Sequence, residues 1–317
     1  NYAVFLWEVR RDYDRAEVMF KRAIAANPKY ALGLGNYAVF LWEVRRDYDR
    51  AEVMFKRAIA ANPKYALGLG IYAVFLWRVR RDYDRAEVMY ERAIAADPNH
   101  ADNLGSYAVF LQDVRRDADR AEVMYERAIA ADPNHADNLG SYAVFLQDVR
   151  RDADRAEAMY ERAIAADPNC VITLYNYARF LHHDRRDYDR AEAMYERFAE
   201  SDPANIDDLT AYALTAYAIL LQGVRRDYVR AEAMYERAIA ADPKYALALG
   251  KYADFLVTIR CDYGRAEVMY ERAVAADPAD VDNLFNYAAF LHDVRRDYDR
   301  AEAMYERFIE AAPDYGQ

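Results

Sequence analysis

The hydrophobic positions of this chain have the spacing of amphipathic helices, and residues 101–135 show the pattern most clearly. A first apolar stripe occupies positions i, i+3, i+4 and i+7: Leu104, Tyr107, Ala108 and Leu111. A second stripe has the same helical spacing: Ala121, Met124, Tyr125, Ala128 and Ile129. The polar segment between them predicts a turn in which Asp117 or Asp119 caps the second helix, and Pro133 ends that helix. The pattern therefore predicts two antiparallel helices.

The same pattern recurs every 35 residues, and residues 1–35 and 36–70 are identical. The repeats begin near nine positions: Asn1, Asn36, Ile71, Ser106, Ser141, Asn176, Ala216, Lys251 and Asn286. A fixed period of this length is typical of solenoids, in which each unit buries its apolar face against its neighbours. We therefore predict an all-α fold, an α-solenoid of nine stacked helix-turn-helix repeats that forms one domain over residues 1–317.

One interval between repeats is 40 residues long instead of 35, which predicts a register break at residues 204–223. A five-residue segment, Leu-Thr-Ala-Tyr-Ala, is duplicated there from Leu209 and from Leu214. Five added residues rotate a helical face by about 140°. The helix is therefore either extended by more than one turn or broken between Thr210 and Thr215. A functional hinge and a tolerated insertion are both open interpretations.

The motif Leu-x2-Tyr-Ala-x2-Leu, followed by Asp-Tyr-Asp-Arg-Ala-x3-Tyr-x2-Ala-x4-Pro, resembles the tetratricopeptide repeat. The family's signature positions in the second helix are matched by four residues: Ala121, Tyr125, Ala128 and Pro133. The first helix differs, because Leu104 replaces the usual Trp and one extra residue lengthens the turn near Arg116. The resemblance implies a right-handed superhelix. Residues 177–181 and 190–197 are also similar to the half-a-TPR repeats of RNA-processing scaffolds.

The resemblance also implies where a ligand binds, because the first helices of tetratricopeptide repeats line a concave groove for peptides or partner helices. A second stripe on the first helices corresponds to that groove: Val4, Trp7, Gly35, Val39, Trp42, Gly70, Val74, Trp77, Val109 and Gln112. All three Trp residues lie at one end of it, with Gly residues expected to leave room beneath them. Two interpretations stay open, namely a binding hot spot and packing of the lengthened turn.

Charge and motif content narrow the possible functions. The net charge of −11 divides into +3 over residues 1–105 and −14 over residues 106–317, and no continuous basic face for nucleic acid is expected. Doubled arginines such as Arg115-Arg116 precede acidic residues and are interpreted as inter-repeat ion pairs. No metal-ligand spacing, phosphate loop or nucleophile motif occurs in the sequence. We therefore expect no enzymatic activity and no cofactor.

The remaining sequence features concern location. No apolar run approaches the length of a membrane-spanning helix, so no membrane association is expected. Cys170 and Cys261 lie in different repeats at variable positions, which argues against a disulfide. The compartment stays unknown, with the cytoplasm as the default in the absence of a signal peptide.

Three functional hypotheses follow. The first is a non-enzymatic protein–protein interaction scaffold that binds a peptide or partner helix in its groove. The second is a structural solenoid that self-associates head-to-tail, since both ends are expected to expose a helix face. The third is an RNA-processing scaffold of the half-a-TPR type, in which the more basic N-terminal repeats contact RNA. The sequence does not identify the partner.

Overall fold

The computed structural model describes residues 2–201 and 207–312, and in these ranges the chain forms helices and connecting turns without a strand. Two compact units are present, Asn1–Ala166 and Asp167–Gln317. The predicted repeat start at Asn1 and residues 204–206 of the predicted register break lie outside the described residues. Within each unit, consecutive helices pair as antiparallel hairpins, which confirms the all-α solenoid class.

Unit 1 contains five hairpins, in which odd-numbered helices are the first helices of their repeats and even-numbered helices are the second. The helices are α1 (Tyr2–Glu8), α2 (Tyr13–Ala26), α3 (Ala31–Glu43), α4 (Tyr48–Ala61), α5 (Ala66–Phe75), α6 (Tyr83–Ala96), α7 (Ala101–Phe110), α8 (Ala118–Ala131), α9 (Ala136–Phe145) and α10 (Ala153–Ala166). Short π-helical segments continue α5, α7 and α9 over Leu76–Arg80, Leu111–Arg115 and Leu146–Arg150.

Unit 2 repeats this arrangement. Its helices are α11 (Val171–Phe180), α12 (Tyr188–Glu200), α13 (Asp207–Leu220), α14 (Tyr228–Ala241), α15 (Ala246–Phe255), α16 (Tyr263–Ala276), α17 (Val281–Phe290) and α18 (Tyr298–Ala311). The first helices again end in π-helical segments: Leu181–Arg185, Leu221–Arg225, Leu256–Arg260 and Leu291–Arg295. Helix α13 has 14 residues where α11 has 10, and it runs through Thr210 and Thr215 without a break.

The extra residue in the turn between paired helices is accommodated by the π-helical segment. At the end of α7, the backbone N–H groups of Arg116 and Asp117 both donate to the carbonyl of Leu111, which widens the last turn. Arg116 takes the left-handed conformation, with φ at 57°. Asp117 then caps α8, because its side chain accepts a hydrogen bond from the Arg120 N–H at 3.1 Å. Of the two predicted caps, the structure selects Asp117.

The core is built from the predicted stripes, with small residues where helices approach closely. Ala121 and Ala128 are fully buried, and the Tyr125 side chain is 1% exposed. The Tyr125 ring stacks on Tyr142 of the next repeat, with 5.3 Å between ring centroids, and also packs on Phe145. Aromatic contacts of this kind add to the free energy of burial, so α8 is tied to the following hairpin.

Ion pairs also join consecutive repeats, as the sequence predicted. The Arg115 guanidinium donates to Glu87 and Asp84 of the preceding repeat, at 2.7 Å in both cases. In unit 2 the Arg225 Nε donates to Glu192 at 2.6 Å in the same way. In these doublets the first arginine therefore forms the inter-repeat ion pair, whereas the second is the left-handed residue of the turn.

Candidate functional site

The solvent-facing positions of the first helices form one face in unit 1, which we call the first-helix face. Neighbouring first helices lie side by side, because the buried Asn103 side chain donates across to the carbonyl of Ala66 at 3.0 Å. The same bond recurs one repeat later, from Asn138 to Ala101 at 3.1 Å. The outward-facing residues of α3, α5, α7 and α9 are therefore neighbours across the array.

The first-helix face changes from apolar to acidic along unit 1. In α3 and α5 its positions include Leu32 and Leu67, which are 38% and 37% exposed. The equivalent positions in α7 and α9 are the exposed residues Asp102 and Asp137. The half-buried valines of the predicted groove lie on the same face, seven residues further along each helix: Val39, Val74 and Val109, with Val4 at the corresponding position of α1.

The predicted glycines do not form an open floor, because the next repeat covers them. Gly35 and Gly70 are buried between consecutive first helices. A Cβ atom on Gly70 would lie 1.9 Å from the Asn103 Oδ1, and one on Gly35 would lie 3.3 Å from the Tyr65 ring. Glycine is needed here for close approach of two helices, so these two residues contribute packing and no exposed surface.

The three tryptophans are half-buried, because each ring packs edge-on against a phenylalanine of the following repeat. The centroid of Trp42 lies 5.6 Å from that of Phe75, and Trp7 and Trp77 make equivalent contacts with Phe40 and Phe110. The Trp77 Nε1 also donates to the Tyr90 hydroxyl at 3.1 Å. The tryptophan positions thus join repeats at the edge of the first-helix face.

Gln112 occupies the tryptophan position of the fourth repeat and has a different role. Its Oε1 accepts a hydrogen bond from the buried Tyr125 hydroxyl at 3.0 Å. Where the second helix carries Phe in place of Tyr, as at Phe20 and Phe55, the residue 13 positions earlier is Trp. The third repeat combines Trp77 with Tyr90, and there the indole N–H supplies the partner that a buried hydroxyl requires.

Sequence analysis did not identify the acidic part of the first-helix face. Asp102 and Asp137 lie seven residues before Val109 and Val144, a spacing that places each pair on one side of a helix. Their outward position was therefore available from the helical period. What the sequence did not supply is how far the equivalent leucines of α3 and α5, Leu32 and Leu67, are exposed.

Metal-ligand groups and membrane-spanning helices are both absent from the described ranges. Among residues 2–201 and 207–312, no group of three or more His, Cys, Asp or Glu side chains is placed to hold a metal ion. In the same ranges, no helix has both the length and the apolar character that crossing a membrane requires.

Helical hairpins that stack through matched aromatic, alanine and arginine positions define a repeat scaffold of the solenoid class. Comparison with family models gives the particular family. The tetratricopeptide repeat matches residues 8–66, 43–101 and 148–206, and the related Sel1 repeat matches residues 102–133, 211–243 and 285–312. The chain belongs to the tetratricopeptide-repeat proteins. Proteins built from these repeats generally serve as non-catalytic scaffolds that bind protein or peptide partners.

Solved structures with the same fold share little sequence with this chain. The pilF protein of Pseudomonas aeruginosa is 19% identical with a TM-score of 0.58, and the match covers 68% of this chain and 92% of that one. Yeast Tom70 is 18% identical with a TM-score of 0.59, covering 93% and 62%. Human IFIT1, solved as a dimer with m7Gppp-AAAA, is 16% identical with a TM-score of 0.59, covering 95% and 68%. No curated protein matches the sequence.

Proposed function

We propose that the protein is a non-enzymatic interaction scaffold and that the first-helix face of unit 1 holds an extended peptide or a partner helix. The observation that carries this proposal is the apolar row on adjacent first helices, where Leu32 and Leu67 are more than a third exposed. Half-buried Val39 and Val74 extend the row along each helix. Contiguous exposed apolar residues on a protein surface are typical of interaction sites.

Charge defines the partner more closely. The acidic side chains of α7 and α9 follow the apolar row on the same face, and the Asp102 side chain is 61% exposed. A ligand that spans the row and the acidic segment needs apolar residues followed or preceded by Lys or Arg. Complementary charge of this kind fixes register and raises the association rate more than it raises affinity. The partner class is therefore a peptide or helix with one apolar and one basic end.

The three tryptophans lie at the edge of the proposed site. Because Trp7, Trp42 and Trp77 are each held against a phenylalanine, their exposed ring surfaces are fixed in position before a ligand arrives. Rigid aromatic surface is favourable for binding, since little side-chain entropy is lost on association. Packing and binding are thus compatible roles for the same side chains.

The test uses substitutions for which the chain itself supplies the template. Leu32→Asp with Leu67→Asp copies the residues that α7 and α9 carry at the same position, so the fold is expected to tolerate it. The matched control, Val53→Asp with Val88→Asp, adds the same charge to the second helices, where these valines are 51% and 49% exposed. Dodecapeptides selected on the wild-type chain from a displayed random library serve as ligands, and affinity is measured by fluorescence anisotropy.

We expect selected peptides to combine apolar and basic residues and to lose about tenfold or more in affinity for the Leu32→Asp/Leu67→Asp variant. The control variant should bind them within about twofold of wild type. Enrichment of no peptide, or an equal loss of affinity in both variants, would show that this face is not the binding surface.

Self-association and RNA binding stay predictions from the sequence. Sedimentation velocity over a wide range of protein concentrations tests head-to-tail association, because a scaffold that acts alone keeps one sedimentation coefficient. Retention of single-stranded RNA on a filter at low salt tests the half-a-TPR hypothesis, since electrostatic binding is strongest under that condition.

A further inference from the structure

A pocket lies on the first helices of unit 2, between α11 and α13. Its volume is about 130 Å³. The principal lining residues are Tyr175, Arg179, His182, Tyr212, Ile219 and Leu247. An engineered apolar cavity of roughly 150 Å³ in another protein binds benzene. By this comparison the pocket of unit 2 accommodates a group about the size of one aromatic ring.

Several residues at this pocket depart from the repeat pattern. On one side of the first helix, the fourth repeat has the buried Gly105 and the more exposed Val109, Gln112 and Asp113. In the sixth repeat the same positions hold Tyr175, Arg179, His182 and His183. Four buried positions between them are unchanged: Tyr177, Ala178, Phe180 and Leu181. Two other buried positions differ, since Thr173 replaces Asn103 and Phe198 replaces Ala128. Much of the hairpin packing is therefore kept while the pocket lining is replaced.

Buried polar atoms at the pocket have no hydrogen-bond partner among the described residues. Among the lining residues this holds for the Nδ1 of His182. The Tyr195 hydroxyl, which is not part of the lining, also has no partner, and its side chain is 1% exposed. In sister repeats the tyrosine equivalent to Tyr195 donates to a glutamine: Tyr125 to Gln112, Tyr160 to Gln147 and Tyr235 to Gln222. Buried polar groups without partners are uncommon and point to a binding role.

The charges at the pocket favour an anion. Burial raises the pKa of Tyr195, and burial together with Tyr212 raises the pKa of Tyr175, while the nearby Arg179 guanidinium opposes both shifts. Both hydroxyls therefore keep their protons at neutral pH and can donate. Burial and the neighbouring His183 lower the pKa of His182 to about 4, so its imidazole is neutral. No carboxylate is among the described residues that line the pocket.

We propose that this pocket binds a small organic anion, an apolar group of about ring size that carries a carboxylate or a phosphate. Arg179 supplies the charge for the oxyanion, since a guanidinium matches carboxylate and phosphate geometry. The Tyr175 hydroxyl supplies a further donor, and the unpartnered His182 imidazole lies in the same lining. Tyr212, Ile219 and Leu247 supply the apolar part of the lining. The site lies in unit 2 and does not depend on the function proposed for unit 1.

The test is an NMR titration of the whole chain with sodium benzoate, phenyl phosphate and the neutral analogue benzyl alcohol. We expect saturable binding of one or both anions with a Kd in the millimolar range, about what a ligand of this size reaches. Benzyl alcohol should bind at least about tenfold more weakly, because it lacks the charge. The head group that binds more tightly identifies the ligand as a carboxylate or a phosphate. In wild type, the His182 ring signals should shift with the anion.

The variant Arg179→Val/His182→Gln restores the residues of the fourth repeat and should weaken anion binding by about tenfold or more. His292→Gln, at the equivalent position of the ninth repeat, is the matched control and should change binding by less than about twofold. The proposal is overturned if neither anion saturates, if benzyl alcohol binds equally well, or if the double variant binds as wild type does. If the double variant does not fold, the His182 signals in wild type decide the question.

Discussion

The pairing of Gln112 with Tyr125 gives a sharp prediction, because the chain contains several solutions to the same problem. The Tyr125 hydroxyl is buried and donates to Gln112 at 3.0 Å. The eighth repeat has no glutamine at this position, and its Tyr270 hydroxyl donates instead to Asp254 at 2.6 Å. Gln112→Val therefore removes the acceptor of the Tyr125 hydroxyl. The eighth repeat, which also lacks this glutamine, uses the Asp254 carboxylate as the acceptor instead.

The expected cost follows from what Gln112→Val leaves behind. A buried hydroxyl without a partner costs about 1–3 kcal/mol. Two second substitutions should reverse most of this cost. Val109→Asp supplies a carboxylate at the position of Asp254, and Tyr125→Phe removes the hydroxyl altogether, as at Phe55 of the second repeat. Because substituted positions in contact are not additive, the second change should recover about 1 kcal/mol or more in either double variant.

Hydrogen exchange measured by mass spectrometry is the appropriate assay, since solenoid repeats open locally and a single global unfolding transition is not assured. Peptides from α7 and α8 report the fourth hairpin, and peptides from α3 and α4 serve as the remote control. Exchange in the fourth hairpin should accelerate about tenfold for each 1.4 kcal/mol lost. Unchanged exchange in Gln112→Val, or double variants no slower than it, would refute the partner requirement.

Three further predictions concern the close contacts, the turn and the acid stability. Gly105→Ala would place a Cβ 1.9 Å from the Asn138 Oδ1 and should lower the stability by about 1–3 kcal/mol. Gly223→Ala is the control, because a Cβ there meets nothing within 4 Å. Thermal unfolding of the two variants measures the difference in stability. Arg116→Val should accelerate hydrogen exchange in α8, and Arg116→Gly should not, because a β-branched residue disfavours the left-handed conformation that Arg116 adopts. Although burial raises the pKa of Glu17, hydrogen bonds from Lys21 and Arg50 lower it to about 2, below the value of 4.5 in the unfolded chain. The ionised Glu17 carboxylate should therefore stabilise the fold above pH 4.5, and this stabilisation should be lost as the pH falls towards 2. Urea titrations at several pH values measure the free energy of unfolding, which should fall less with decreasing pH in Glu17→Gln than in wild type.

The period of the hydrophobic pattern was sufficient to predict the helices and the core. Apolar spacing identified Leu104, Tyr125 and Ala128, all of which are buried. The prediction succeeds because the residues that a helix buries on one side recur with the helical period. The π-helical turn was not predictable in this way. Its left-handed residue is usually Arg, and Arg carries no local signature for that conformation, which normally selects glycine.

Contacts between repeats explain why the candidate site was only partly predicted. Gly70 is small because Asn103 of the next repeat fills the space above it, and a sequence shows the glycine without showing what covers it. Similarly, the tryptophans were recognisable as members of the stripe, but their burial depends on phenylalanines 33 residues further along. Pairings of this range are fixed by the stacking of hairpins and leave no trace in the local pattern.

Apart from the tryptophans, the positions that tie hairpins together differ from the positions proposed for recognition, and this has a consequence for how the surface varies. The residues that tie hairpins together, such as Tyr107, Ala108 and Leu111, recur at the equivalent places of the sixth repeat. The outward stripe changes from Leu67 through Asp102 to Ile172 at one equivalent position. Because the exposed stripe contributes little to stacking, we expect substitutions there to change the proposed ligand preference at small cost in stability. The apolar row of unit 1 and the basic pocket of unit 2 are therefore expected to respond independently to mutation.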